Sequence, residues 1–194
     1  ALPNKTKVGV VMVAMGGSGI DAFDKENYRD YYNSADDWQK GLMNVYGGNP
    51  YAKLVEMAKK AQQSGVIKGI LIHQGESNNM QQEWPQKVSK IYNDLLTDLE
   101  LKGNEVPLLA GEMLYQNQGG VCWGHNSVIA KLPEVIENAH VISADGCPGA
   151  DQFHFTATGY RELGKRYAAT MLSLLDEQTA PPLTRPKLHV DGRY

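Results

Sequence analysis

The sequence predicts an α/β protein built on a mostly parallel sheet. Three observations carry that expectation. Short apolar runs of buried-strand length occur at residues 8–14, 66–72, 106–112 and 140–144. Segments with helical spacing lie between them, and alternation of strand and helix is the signature of a parallel sheet. Each run also ends in a polar or glycine-rich cluster, and open α/β sheets place their sites at the carboxyl ends of their strands.

The first run, Val8-Gly-Val-Val-Met-Val-Ala14, reads as a buried strand that stops at Met15-Gly16-Gly17-Ser18-Gly19. A glycine turn there offers backbone N–H groups at the sheet edge, and it also fits an ordinary tight turn. Residues 20–49 show no clean period. They hold Tyr28, Tyr31, Tyr32, Trp38 and Tyr46 among several aspartates, so they read as a long polar loop. Its rings either line a wall that stacks on sugar faces or pack on their own scaffold, as rings do in compact surface loops. Asn49-Pro50 marks a helix N-cap and first helical position, with Leu54, Met57, Ala58 and Ala61 as the apolar stripe and Gly65 as the stop.

The second strand, 66–72, runs into His73-Gln74-Gly75-Glu76-Ser77-Asn78-Asn79, the densest polar cluster of the chain. A helix follows over 83–101, with Pro85 in its first turn and Val88, Ile91, Leu95 and Leu99 as its stripe. The third strand, 106–112, leads to a glycine-rich loop holding Cys122, His125 and Asn126. Residues 128–136 read as helix broken at Pro133. The fourth strand, 140–144, delivers Asp151 and His154. Thr156 is placed to cap the last helix, whose stripe is Tyr160, Leu163, Tyr167, Met171 and Leu174. After it, 177–194 has the composition of a Pro-rich tail or linker, which leaves 1–176 as one domain.

Composition narrows the class. Apolar residues make 42% and charged residues 21%, and the net charge is -3. No basic footprint argues for nucleic acid, and no apolar run approaches the ~20 residues that cross a membrane. No signal peptide is visible. Nothing in the sequence calls for a cofactor. Cys122 and Cys147 sit in loops after successive strands, where either a disulfide or two free thiols fit.

The sharpest chemical element is Asp151-Gln-Phe-His154 just ahead of a helix start. A carboxylate three residues from an imidazole can hold its tautomer and stabilise its protonated form, as the acid does in a nucleophile-His-acid triad. The same residues admit a metal reading, in which His73, Glu76, Asp151 and His154 form a two-histidine, two-carboxylate site. No familiar zinc spacing supports it, so no metal is expected.

Three blocks in order carry a family resemblance: Val8 to Ile20, then Gly69-Ile-Leu-Ile-His-Gln-Gly-Glu-Ser-Asn78, then Asp151-Gln-Phe-His-Phe-Thr-Ala-Thr-Gly-Tyr160. With them the chain resembles the SGNH hydrolase superfamily, and within it the carbohydrate esterases that include family 6 acetylxylan esterases and sialate O-acetylesterases. The resemblance implies a three-layer α/β/α sandwich, flavodoxin-like, with a mostly parallel sheet. It implies a serine esterase that removes acetyl groups from a plant polysaccharide such as acetylated xylan, in a secreted or periplasmic setting. His154 would be the general base, Asp151 its orienting acid, Gly17 and Gln74 the oxyanion donors, and Glu76 a support for the loop. His73, His125 and Asn126 would line the site.

The sequence departs from the family at the nucleophile. There the serine lies in a Gly-x-Ser block after a strand that precedes the one matching 8–14, in the middle of the sheet. No such block is found here. Ser18 is the only serine in a strand-to-turn setting, and its block aligns with the oxyanion glycines. The expectation is therefore a domain lacking its first strand and nucleophile block, with the serine supplied by an upstream segment or a second chain. A non-catalytic carbohydrate-binding domain is the reading from another class.

Overall fold

The computed structural model describes residues 6–179, with side chains through Leu175. Its centre is a three-stranded parallel sheet of β1 (Ile70–Ile72), β2 (Leu108–Gly111) and β3 (Ala139–Ile142), in that order. The register pairs Leu71 with Leu109 and Leu109 with His140. Side chains along a strand alternate between faces, and the two faces bury different helices. Ile70, Ile72, Leu108, Ala110, Ala139 and Val141 join the larger core, with α3 (Pro50–Gln62), α4 (Trp84–Asp98), α5 (Asn126–Ile129) and α6 (Leu132–Val135). Leu109 and Ile142 point the other way, into the core made with Leu163, Tyr167, Met171 and Leu174 of α7 (Ala157–Thr179). The result is the α/β/α sandwich that the family resemblance implies, on the parallel sheet that the alternation of elements predicts.

Local signals explain the helix boundaries. The Asn49 side chain accepts from Ala52 N–H at 2.9 Å, and Pro50 opens α3. Thr156 Oγ1 accepts from Gly159 N–H at 3.0 Å, so it caps α7. The break near Pro133 separates α5 from α6, with the proline in the first turn of the second helix, where its missing N–H costs nothing.

Four expectations need correction. Residues 8–14 are not a buried strand. No described segment pairs with them, and Val8, Val10 and Met12 are more than 70% exposed. A run of β-formers becomes a strand only where a neighbour completes the ladder. Second, residues 20–49 are not a loop. They form a 3₁₀ turn (Ile20–Phe23), α1 (Tyr28–Ser34) and α2 (Asp37–Val45), helices too short to print a period. Third, only the last three residues of 66–72 pair as strand. Fourth, α7 runs through Thr179, past the expected start of the tail at 177. Residues 180–194 lie outside the described part.

The 20–49 segment docks on α4 through apolar contact, with Ile20 and Phe23 joining the larger core, and through charge. Lys87 pairs with Asp21 at 2.8 Å, Lys90 with Asp24 at 3.1 Å, and Lys25 with Asp98 at 2.7 Å. Tyr28, Tyr31, Tyr32 and Tyr46 pack around a small core of Met15, Ala22 and Met43.

Leu109 is fully buried in the central strand against α7. Leu109→Ala should therefore cost about 2–5 kcal/mol of stability, the range for a core leucine that leaves a cavity. Urea denaturation of the two proteins measures it, and a loss below about 1 kcal/mol contradicts the packing described.

Candidate active site

The loop between β3 and α7 carries Asp151 and His154. The carbonyl of His154 accepts the backbone N–H of Ala150 at 2.7 Å, and Gly149 bridges Phe155 in antiparallel fashion. This closes the loop on itself. Asp151 Oδ1 accepts the backbone N–H groups of Phe153 and His154, each at 2.7 Å. Its carboxylate also meets His154 Nδ1, at 2.9 Å from Oδ2 and 3.1 Å from Oδ1. The acid is thus held by the backbone and in turn holds the ring. In the neutral imidazole the proton sits on Nδ1, facing the carboxylate, which leaves the Nε2 lone pair as the basic site. The Phe153 N–H, then the His154 ring and the His154 N–H, lower the Asp151 pKa to about 2. The pair is well exposed, at 55% and 65% of the side chains.

The glycine turn and the β1 loop come together through named bonds. Gln74 Nε2 donates to Ser18 O at 3.0 Å and to Asn78 Oδ1 at 2.7 Å, while Gln74 Oε1 accepts the Trp84 indole N–H at 2.6 Å. Asn78 Oδ1 also accepts Ile20 N–H at 2.7 Å. Gly17 O accepts Ser77 Oγ–H at 2.9 Å and a Gln39 side-chain N–H at 3.0 Å. Gly17 sits in the left-handed region at φ 67, and a Cβ there would lie 2.9 Å from the Trp38 ring, so the turn demands glycine. Residues Gly16 and Gly17 are exposed.

This geometry changes two assignments. A primary amide nitrogen carries two hydrogens, and both of those on Gln74 are already donated inside the protein. Gln74 therefore positions the turn and has no hydrogen to spare for an oxyanion. Ser18 is buried, and its hydroxyl donates to Met15 O at 2.9 Å. It does not meet His154, so the nucleophile reading of Ser18 fails on geometry.

The remaining candidates fall into supporting places. His73 Nε2 approaches Glu112 O at 3.2 Å, and its ring packs 5.7 Å from Phe155, which ties the β1 loop to the residue after His154. The Glu76 carbonyl accepts the Cys122 thiol at 3.8 Å. His125 is fully buried beside Gly75. It takes Met80 N–H on Nδ1 at 3.1 Å, and burial pushes its pKa down to about 4. Asn126 binds both backbone groups of Met113, at 2.8 and 3.1 Å. His125 and Asn126 thus hold the loop after β2 rather than line a site. Cys122 and Cys147 are free buried thiols in the two separate cores. Among the described residues no three His, Cys, Asp or Glu side chains gather to bind a metal ion, so His73, Glu76, Asp151 and His154 do not make the ligand set of the metal reading. The sequence offered no sign of Trp84 as the partner of Gln74, since an indole in a helical stripe reads as core.

The chain matches the family described as carbohydrate esterase, sialic acid-specific acetylesterase, over residues 1–173. The chain belongs to this family. This bears out the SGNH-type carbohydrate esterase resemblance and makes ester hydrolysis on carbohydrate the general chemistry of the family. The fold is similar to the crystal structure of a protein from Arabidopsis thaliana, with a TM-score of 0.58 at 19% identity. The match covers 81% of this chain and 57% of that one, so this chain spans little more than half the length of that relative. Such a likeness speaks to the fold.

The bonding of Asp151 has a measurable consequence. Its strongest stabilising partner is a backbone N–H, so His154→Ala should leave the Asp151 carboxyl titrating below the ordinary value of 3.8, while raising it from about 2. Because the folded value is depressed, the contribution to stability is complete above 3.8 and is lost as pH falls through about 2. NMR titration of the carboxyl carbon in both proteins checks this. A return to 3.8 in the variant would mean that the imidazole alone lowers it.

Proposed function

We propose that the chain forms the base-bearing part of a serine esterase that removes O-acetyl groups from a plant polysaccharide such as acetylated xylan. The observation that carries the reading is the Asp151–His154 pair, held at the carboxyl side of the sheet with Nδ1 engaged and Nε2 open. In the first step a serine Oγ attacks the acetyl carbonyl carbon and its proton passes to His154 Nε2. Asp151 stabilises the imidazolium so formed. The carbonyl oxygen becomes an oxyanion, and the backbone N–H of Gly17 is the donor offered to it. Collapse expels the sugar hydroxyl, which takes the proton from His154. Water, deprotonated by the same imidazole, then cleaves the acetyl-serine and releases acetate. A polysaccharide of this kind lies outside the cell, which suits a secreted or periplasmic esterase.

The serine in this proposal comes from an added strand, on a further segment or a second chain. Two features support that. One edge of β1 has no partner among the described residues, and Leu71 on it is 57% exposed. The run at residues 8–14 is likewise unpaired among the described residues and largely exposed, and an added parallel strand would give it the ladder partner it lacks. The turn following such a strand would lie beside the Gly17 turn and the β1 loop.

Expressed alone, residues 1–194 should release no acetate above background from a short acetyl ester and should take no organophosphate label. Adding a segment that carries the strand and serine should restore turnover, with acetylated xylan preferred over a long-chain nitrophenyl ester. In that complete enzyme His154→Ala should lower kcat by roughly a thousandfold or more. Acetate release by the chain alone with label on Ser18 overturns the proposed source of the serine, and faster cleavage of the long acyl chain overturns the substrate.

A further inference from the structure

Trp38 stands apart from the other aromatic residues of its segment. The Tyr31 hydroxyl oxygen accepts the Gly19 N–H at 2.9 Å, Tyr46 donates to Ala14 O at 2.9 Å, and Tyr32 donates to Asn44 Oδ1 at 3.1 Å. These rings, with Tyr28, pack on the small core of Met15, Ala22 and Met43. They are scaffold. Trp38 joins none of that packing and is 55% exposed, at the start of α2. An indole left half in water forgoes a large apolar contribution, so its position calls for an explanation.

What it touches is Gly17. The benzo edge of the indole occupies the space where a Gly17 side chain would be, with ring carbons 2.9 to 3.8 Å from that point. The contact is fixed from both ends. The neighbouring residue, Gln39, donates to Gly17 O, and Ser77 pins the same carbonyl. The ring is therefore mounted rigidly on the turn.

We infer that Trp38 is a stacking platform for the pyranose ring that bears the acetyl group. This rests on the proposed role of Gly17 as oxyanion donor. An ester oxygen bonded to the Gly17 N–H lies within about 3 Å of that nitrogen. The sugar carbon bearing the ester is only a few bonds further away, so its ring must fall within reach of the indole beside Gly17. A flat apolar face that keeps a polar edge in water suits the C–H face of a sugar. A stack of this kind also orients the ring, which is how binding energy from a non-reacting part of the substrate assists the reacting centre. Phe153, 43% exposed beside His154, presents a second ring at the base end of the site.

Fluorine NMR of the 194-residue chain labelled with 5-fluorotryptophan tests this without needing turnover. The chain has three tryptophans, and the buried Trp84 reports on folding. Titration with acetylated xylo-oligosaccharide should move the Trp38 signal, assigned by its loss in Trp38→Phe, and the ring protons of His154, while Trp84 stays in place. Followed by the His154 signal, Trp38→Ala should weaken binding about tenfold, and Trp38→Phe should hold it within about threefold. Movement of His154 without Trp38 would sink the platform and leave the proposed esterase reading standing. An equal shift of Trp38 with ethyl acetate, which has no sugar, overturns the platform as well. Silence of both residues with saturating acetylated sugar counts against the platform and the substrate together.

Discussion

The side-chain amide of Gln74 is the joint on which the candidate site depends. Gln74 lies two residues past the end of β1, where the strand ladder stops and backbone groups lose their regular partners. Its oxygen takes the indole N–H of Trp84 from the start of α4, and its nitrogen reaches Ser18 and Asn78. Asn78 passes the connection to Ile20 N–H. One amide thereby ties a strand end, a helix start and the glycine turn. Its two donors and its acceptor are all satisfied, and a network of that kind specifies geometry more sharply than apolar contact does. Removing the amide would orphan an indole N–H that is almost fully buried.

The same joint explains why the end of the glycine turn is buried although the run leading to it is largely exposed. Residues 8–14 find no ladder and stay largely exposed, yet Met15, Ser18, Gly19 and Ile20 are buried. The order arrives from the other side, through Gln74, Asn78 and the charged docking of the 20–49 segment onto α4. Each of those ion pairs is partly exposed and is worth little by itself. Lys90, however, meets Asp24, Asp94 and Glu26 at once. Burial opposes its charge, but the hydrogen bonds to Asp24 and Asp94 outweigh that and hold the ammonium above its usual range. A shared cation fixes three carboxylates for the entropy of a single lysine side chain.

The base end of the site is organised differently. Asp151 and His154 rely on a four-residue turn whose bonds are almost all local, closed by the Gly149–Phe155 bridge and the cap of α7. Phe155 is the buried anchor beneath it, and its contact with His73 joins the turn to the β1 loop. The pair keeps its geometry at high exposure because the backbone N–H groups hold the acid before the imidazole does.

Much of this was legible in the sequence because it is local. Asn49 and Thr156 mark helix starts through their own bonds to neighbouring residues, and Pro50 and Pro133 mark them through the N–H they lack. The continuous apolar run of Leu108 to Gly111 marks a strand buried on both faces, and the stripes of α4 and α7 settle which faces of those helices are buried. Asp151 and His154 are close enough in sequence for one closed turn to bring them together. Other features belong to the tertiary structure alone. Whether a run of β-formers such as 8–14 becomes a strand depends on a neighbour far away in the chain or outside it, and no residue within the run carries that information. Gln74 reads as a free donor until Trp84, ten residues on, takes its oxygen and turns its hydrogens inward. Ser18 reads as an open hydroxyl on a turn until Gln74, from far along the chain, bonds its carbonyl and the folded turn buries it. Hydrogen bonds between distant segments commit donors one by one, and that allocation exists only once the chain has folded.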